Sequence, residues 1–317
     1  MTINSHLQEL HGLPAFDFPR AEAQAKTELP PVSSVAWRIA AEYEGEEWEQ
    51  AFARFLDAVD PTEVRALIVG LWNEAYETSP ASIISTLTGA ADRFPALRAI
   101  FFGDITYDEC EISWINQGLV TPVLDAFPEL LEFGVRGGTG LEFPAVRHEK
   151  LESLVVESGG LGVEVVRGIA ASELPALANL DIWLGSSWYG ADTQVADLEP
   201  FLAGTLLPKL GCLALRNSDI QDQIAVACAG APVVARLHTL DLSMGTLGDE
   251  GAEALLNGQP LTHLRRLDLH HHFISAPLVE RLRTTFEAAG VSIDLSEAEL
   301  GSEDDEDDEH RYTSVAE

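Results

Sequence analysis

An α/β solenoid, with a parallel sheet lining the inside of a horseshoe arc and helices outside, is the fold class this sequence predicts. Three observations predict it. A six-residue frame of apolar, two free, apolar, one free, apolar recurs along the chain; each copy closes in a short alternating segment; and between copies the apolar period lengthens from two residues to that of a helix.

The frame occurs as VRALIV from Val64, LRAIFF from Leu97, LLEFGV from Leu130, LESLVV from Leu151, LANLDI from Leu177, LGCLAL from Leu210, LHTLDL from Leu237 and LRRLDL from Leu264. Successive copies begin 33, 33, 21, 26, 33, 27 and 27 residues apart. Degenerate copies flank the set: SVAWRI from Ser34, with Trp37 and Ile39 in the apolar slots, and GVSIDL from Gly290. Alternation puts the apolar slots on one face of each strand and the free slots on the other. Between strands, Ile83, Ile84, Leu87 and Ala91 fall at helical spacing within Ser79 to Phe94. Val195 to Leu206 and Asp249 to Leu256 read likewise, and Leu278 to Gly290 ends on the glycine that suits a helix C-cap. One strand–turn–helix unit cannot bury both its strand face and its helix stripe, so neighbouring units must stack.

The chain resembles the leucine-rich repeat, in the ribonuclease-inhibitor-like form with long helices, from Val35 to Leu295; LHTLDLSMGTLGDEGAEALL is its most specific stretch. One departure stands out. Where that family closes the turn after the strand with asparagine or cysteine, this chain has Gly159, Ser218, Gly245 and His272.

Organisation follows: residues 1–58 as an N-terminal extension and cap, 59–300 as the solenoid, and 301–317 as an acidic disordered tail. The cap takes an edge strand at SVAWRI and a helix carrying Trp48, Phe52, Phe55 and Leu56 on one side. The longest apolar runs are too short to span a membrane, no basic start precedes an apolar leader, and the three cysteines have unrelated spacings. A cytoplasmic protein is expected.

The formal net charge is −33, of which residues 301–317 account for only seven. Such a surface repels phosphate, so neither nucleic acid nor an anionic membrane is an expected partner, whereas a basic protein or peptide would be steered in.

The free slots should form columns on the inner face. They begin apolar, with Ile68, Phe101, Val155 and Trp183 and with Arg136 among them, and end charged, with Arg216, Asp241, Asp268 and His270. Trp72, Tyr76, Trp188 and Tyr189 follow strands on the same rim. Phe101, Arg136, Trp183, Arg216, Asp241, Asp268, His270, Trp72, Trp188 and Tyr189 are therefore the expected partner-binding residues. Against this, Phe101 and Trp183 could instead pack against each other or against a loop and only close the solenoid.

No catalytic site is expected. Asp241 and Asp268 stand on adjacent strands, but an open sheet does not exclude water, so a charge ladder with Arg216 and Arg266 is favoured over an acid–base pair. GxSxG, P-loop, HExxH and paired CxxC motifs do not occur, and the glycines of GGTG (Gly137 to Gly140) open no phosphate-binding pattern. The run His270, His271, His272 faces three ways along an extended chain, so no metal and no other cofactor is expected there. His272 should satisfy backbone groups of its turn.

After GSEDDEDDEH the sequence closes in RYTSVAE. The VAWR strand, FGVRGG, LDLHHH and this tail resemble a family of bacterial cytosolic leucine-rich-repeat proteins encoded near radical-SAM and ATP-grasp enzymes. The resemblance implies those enzymes as partners, with Arg311, Tyr312, Thr313 and Ser314 docked on or modified by them. The expected function is a non-catalytic protein-binding scaffold using the concave face; the alternative is a carrier or precursor-like substrate whose tail is the working part.

Overall fold

A computed structural model describes residues 3–41, 45–299 and 311–317. The chain forms two compact units, Thr2–Glu157 with Ser172–Pro175 and Ser158–Ala171 with Ala176–Ala316. They are called the N-terminal and C-terminal units below.

The N-terminal unit holds strands β1 (Glu9–Leu10), β2 (Leu13–Asp17), β3 (Ala36–Ile39), β4 (Ala66–Val69), β5 (Ala99–Phe102), β6 (Glu132–Arg136) and β7 (Ser153–Glu157), hydrogen-bonded in that order. From β2 onward every pairing is parallel. Only β1 runs antiparallel, joined to β2 through His11 and Gly12, whose φ angles of 56° and 66° suit the two-residue turn of a twisted hairpin. The C-terminal unit holds β8 (Asn179–Gly185), β9 (Cys212–Ser218), β10 (Thr239–Asp241), β11 (Arg266–Asp268) and β12 (Ser292–Asp294), again sequential and parallel.

Every copy of the repeated frame thus carries a strand, and equivalent frame positions pair. Leu67 lies opposite Ile100, Ile100 opposite Phe133 and Phe133 opposite Leu154; Leu213, Leu240 and Leu267 align in the same way. These side chains are buried in the core. A one-residue slip would turn each of them to the other face, which is why the register holds through every pair.

Helices occupy the expected stretches: Ala81–Gly89, Val195–Leu202, Asp249–Asn257 and Ala276–Ala288, the last followed by Gly290 at φ 82°. In the cap, helix Trp48–Ala58 buries Trp48, Phe52 and Phe55, and the first two rings stack at 4.9 Å. Among the described residues no helix is long and apolar enough to cross a membrane.

The unusual turn residues find their bonds. At Gly159, which has no side chain, the preceding Ser158 serves instead, its hydroxyl accepting from Gly160 N at 3.0 Å; that of Ser218 accepts from Ile220 N at 3.2 Å, and Nδ1 of His272 from Ile274 N at 3.2 Å. In each case a side-chain acceptor serves the N–H two residues ahead. Nε2 of His272 also lies 3.3 Å from the Leu295 carbonyl. Gly245 has no room for a side chain, because a Cβ there would strike the Ser218 backbone.

Candidate functional site

In the N-terminal unit the free-slot face of the strands is already occupied. Residues 3–11 run across it: Leu7 and Leu10 pack on Leu13, Ala36, Ala66, Ile68 and Ala99. Ile68 and Phe101, expected on an open wall, are therefore buried, and β4 and β5 are buried on both faces. Phe101 lies under the Arg136 guanidinium at 5.6 Å. At Gly134 a Cβ would collide with the Phe101 ring, so the glycine makes room for that ring.

Asp104 pins the segment in place. Its side chain is 0% exposed and its carboxylate accepts from Leu7 N at 3.0 Å, from Nε of Arg38 at 2.6 Å and from Nη1 of Arg136 at 3.2 Å. Arg38 also donates to the Leu7 carbonyl and to Asp17, and Arg136 to Glu157 at 2.6 Å. Burial pushes the Asp104 pKa up, yet the His6 hydrogen bond and the charges of Arg136 and Arg38 outweigh it and hold the carboxyl below its ordinary range.

The Asp104 interaction raises the His6 pKa against burial and Arg38, with help from Glu109. Nδ1 of His6 lies 3.0 Å from the Asp104 carbonyl and 3.6 Å from its carboxylate, with Glu109 3.6 Å from Nε2. A raised histidine pKa contributes stability that is complete below the unfolded value of 6.5 and is lost as pH rises through the folded value. Segment 3–11 should accordingly show higher amide protection at pH 6 than at pH 8 once intrinsic exchange is corrected. His6→Gln should abolish the difference.

The C-terminal unit presents a different face. One column carries Asp181, Asp241, Asp268 and Asp294 at matching strand positions. Arg216 bridges two of them, donating to Asp181 at 2.6 Å and lying 3.5 Å from Asp241, while its guanidinium stacks on Trp183 at 4.9 Å. Arg266 contacts Asp268 at 2.7 Å and Asp294 at 3.8 Å. Nδ1 of His270 sits 2.7 Å from Asp268, which raises the His270 pKa.

Burial raises the Asp241 pKa more than Arg216 and Ser243 lower it. For Asp268 burial also acts upward, but His270 and Arg266 prevail and bring it down to about 2. Both carboxylates are engaged, Asp241 by Ser243 and Arg216, Asp268 by His270 and Arg266. The arrangement is a ladder of compensated charges. Asp268, His270 and Asp294 bring one ligand atom each within 4.8 Å of one another, and the Arg266 guanidinium already spans the two carboxylates.

Trp183, expected as an exposed anchor, is 8% exposed beneath Arg216, and its Nε1 has no hydrogen-bond partner among the described residues. Trp188 is the opposite: it is 88% exposed, on a short helix Ser187–Tyr189 fixed by Asp219, whose carboxylate accepts from Ser187 N at 2.8 Å. Tyr189 in the same turn is half-buried.

Residues 300–310, the acidic run of the tail, lie outside the described residues. Residues 311–317 do not extend into solvent as a disordered tail would; they are seated on the C-terminal unit. Val315 exchanges two hydrogen bonds with the Asn217 side chain (2.9 and 2.6 Å), Ser314 N donates to the Met244 carbonyl at 2.7 Å, and the Tyr312 carbonyl lies 3.0 Å from Nε2 of His271. The Tyr312 ring meets His271 and Phe273 edge-on at 5.3 and 5.5 Å, and Arg311 pairs with Asp222 at 2.7 Å. Thr313 and Ser314 are buried. Asn217, Met244 and His271 recur at intervals of one repeat, and all adopt left-handed φ (55°, 66° and 52°). Each costs on the order of 1 kcal/mol, a strain sustained where the segment binds.

A cavity of about 560 Å³ opens in the N-terminal unit at the carboxyl ends of β3, β4 and β5. Trp72, expected on the binding rim, lines it and is buried, with Nε1 donating to the Thr78 carbonyl at 3.0 Å; Tyr76 lines it from a more exposed position.

Asp104, Asn217 and the cavity were not singled out from sequence. Each lies in a loop or at a strand end, where the repeated frame imposes no residue type. The one available signal was Asn217, a residue tolerant of left-handed φ, just before a turn.

No model of a known protein family matches the chain, and no curated protein matches it. Among solved structures, a Bacteroides fragilis protein determined by a structural-genomics consortium is similar, with 26% identity and a TM-score of 0.80 over 89% of this chain and 78% of that one. The likeness fits a repeat solenoid.

Proposed function

We propose that this chain is a non-catalytic protein-binding module of the leucine-rich-repeat type, and that its partner presents a basic segment to the free face of β8–β12. The observation that supports this most is the difference between the two units. The free face of the N-terminal unit is filled by residues 3–11, whereas that of the C-terminal unit carries the four-aspartate column, offset by Arg216, Arg266 and His270. Trp188, exposed immediately after β8, supplies the apolar anchor that such interfaces use. Acidic columns also steer a basic partner to the surface.

The test uses the partner co-purified with the tagged protein from its source cell. Trp188→Ala and Asp294→Asn should each weaken binding at least tenfold with the melting temperature nearly unchanged, and affinity should fall with salt. Phe101→Ala should do the reverse, costing about 3 kcal/mol of stability without altering affinity. Unchanged binding in both surface variants would remove the proposed face.

The carrier reading, in which enzymes of the radical-SAM or ATP-grasp kind act on the tail, carries an added requirement. Thr313 and Ser314 are buried in their seat, so modification there needs the segment to be released first. Tyr312, half exposed at the surface of that seat, is the more accessible target.

A further inference from the structure

The cavity at the carboxyl ends of β3–β5 has features that select one kind of ligand, and we propose that it binds a small aliphatic polyamine. Three independent features converge. Its volume of about 560 Å³ is in the range of built ligand sites, and its place beyond the carboxyl ends of parallel strands is where open α/β sheets hold ligands.

Its chemistry is one-sided. Glu47, Glu49, Glu74 and Glu109 line it and, among the described residues, no Lys, Arg or His does. Trp48 and Trp72 form apolar walls whose indole N–H groups are already spent on the Ile39 and Thr78 carbonyls. These rings therefore offer faces and edges but no donor, which suits methylene chains and ammonium groups.

The third feature is an unused acceptor. Asn73 lines the cavity, and its Oδ1 is buried without a hydrogen-bond partner among the described residues. A buried acceptor left unmatched is costly, and a ligand N–H would satisfy it. A primary ammonium fits this combination, since it supplies three donors and a charge; a quaternary ammonium supplies no donor and an anion would be repelled. Cys110, also at the wall, has its thiol pushed up to about 11 by burial, with Glu111 adding to the effect, so it stays protonated and the carboxylates carry the formal charge of the described lining.

Titration calorimetry on the full chain at physiological ionic strength tests this with spermidine, putrescine and butane-1,4-diol as the neutral analogue. Spermidine should bind at one saturable site, putrescine more weakly, and the diol not at all. Asn73→Leu and the Glu49→Gln/Glu74→Gln double variant should each weaken spermidine at least tenfold, while Asp294→Asn, on the C-terminal unit, should leave it unchanged. Asn73→Leu should also melt no lower than the parent, because it removes an acceptor that has no partner. Diol binding comparable to putrescine, affinity indifferent to both cavity variants, or many weak sites that vanish with added salt would overturn the proposal.

Discussion

Asp104→Ala is expected to lower the unfolding free energy by about 3–5 kcal/mol, among the largest effects of any single substitution in this protein. The carboxylate is fully buried between Arg38 and Arg136, themselves buried, and its removal leaves each guanidinium with only its outer partner, Asp17 for Arg38 and Glu157 for Arg136, and with no shared charge between them. It also frees Leu7 N, and with it the attachment of residues 3–11. Urea titration measures the loss, and exchange of segment 3–11 reports whether it detaches. The sign of the pH dependence follows from the depressed carboxyl: its contribution is present above the unfolded pKa of 3.8 and is lost as pH falls through the lower folded value. In acid the parent should lose stability more steeply than Asp104→Ala. Parallel acid profiles, or a loss under 1 kcal/mol, would mean that the charges at this centre do not hold the segment.

The second large effect is expected from Asn217→Ala, about 2–3 kcal/mol. Asn217 donates to the Ser158 and Val315 carbonyls and accepts from Val315 N, all within a buried site. Alanine gives up these bonds and tolerates a φ of 55° less well than asparagine does. The seat of residues 311–317 should loosen, which trypsin can read directly. Arg311 is tied to Asp222 and to the Thr246 carbonyl in the parent, so cleavage after it should be slow there and much faster in Asn217→Ala. Equal cleavage rates in the two proteins would contradict this seating of the C-terminal segment.

Much of the architecture was legible in the sequence because burial dictates residue type wherever the frame runs. Leu67, Ile100, Leu213, Leu240 and Leu267 must be apolar, and a period of two residues locates them. The site was less legible. A free slot is defined only by pointing away from the helices, and what covers it is decided by segments remote in sequence. Ile68 and Phe101 read as an exposed apolar stripe; Ile68 is covered by the cluster that Leu7 and Leu10 complete, and Phe101 by the Arg136 guanidinium. Trp183 stays on the free-slot face but is covered there, since Arg216 closes over it. The charge ladder was readable for a contrary reason: Arg216, Asp241 and Asp268 interact across neighbouring strands, so a correct register suffices to place them. Residues 311–317 could not be placed, because composition groups them with an acidic run whereas their seat depends on three left-handed residues spaced one repeat apart.

The most direct test of the central claim, that partner contact is confined to the free face of the C-terminal unit, is hydrogen-exchange mass spectrometry of the protein with and without its co-purified partner. Protection should increase in Asn179–Gly185, Cys212–Ser218, Thr239–Asp241, Arg266–Asp268 and Ser292–Asp294 and in the Trp188 turn, with residues 3–11 and strands Ala66–Val69 and Ala99–Phe102 unchanged. New protection on those two N-terminal strands, accompanied by deprotection of residues 3–11, would contradict it.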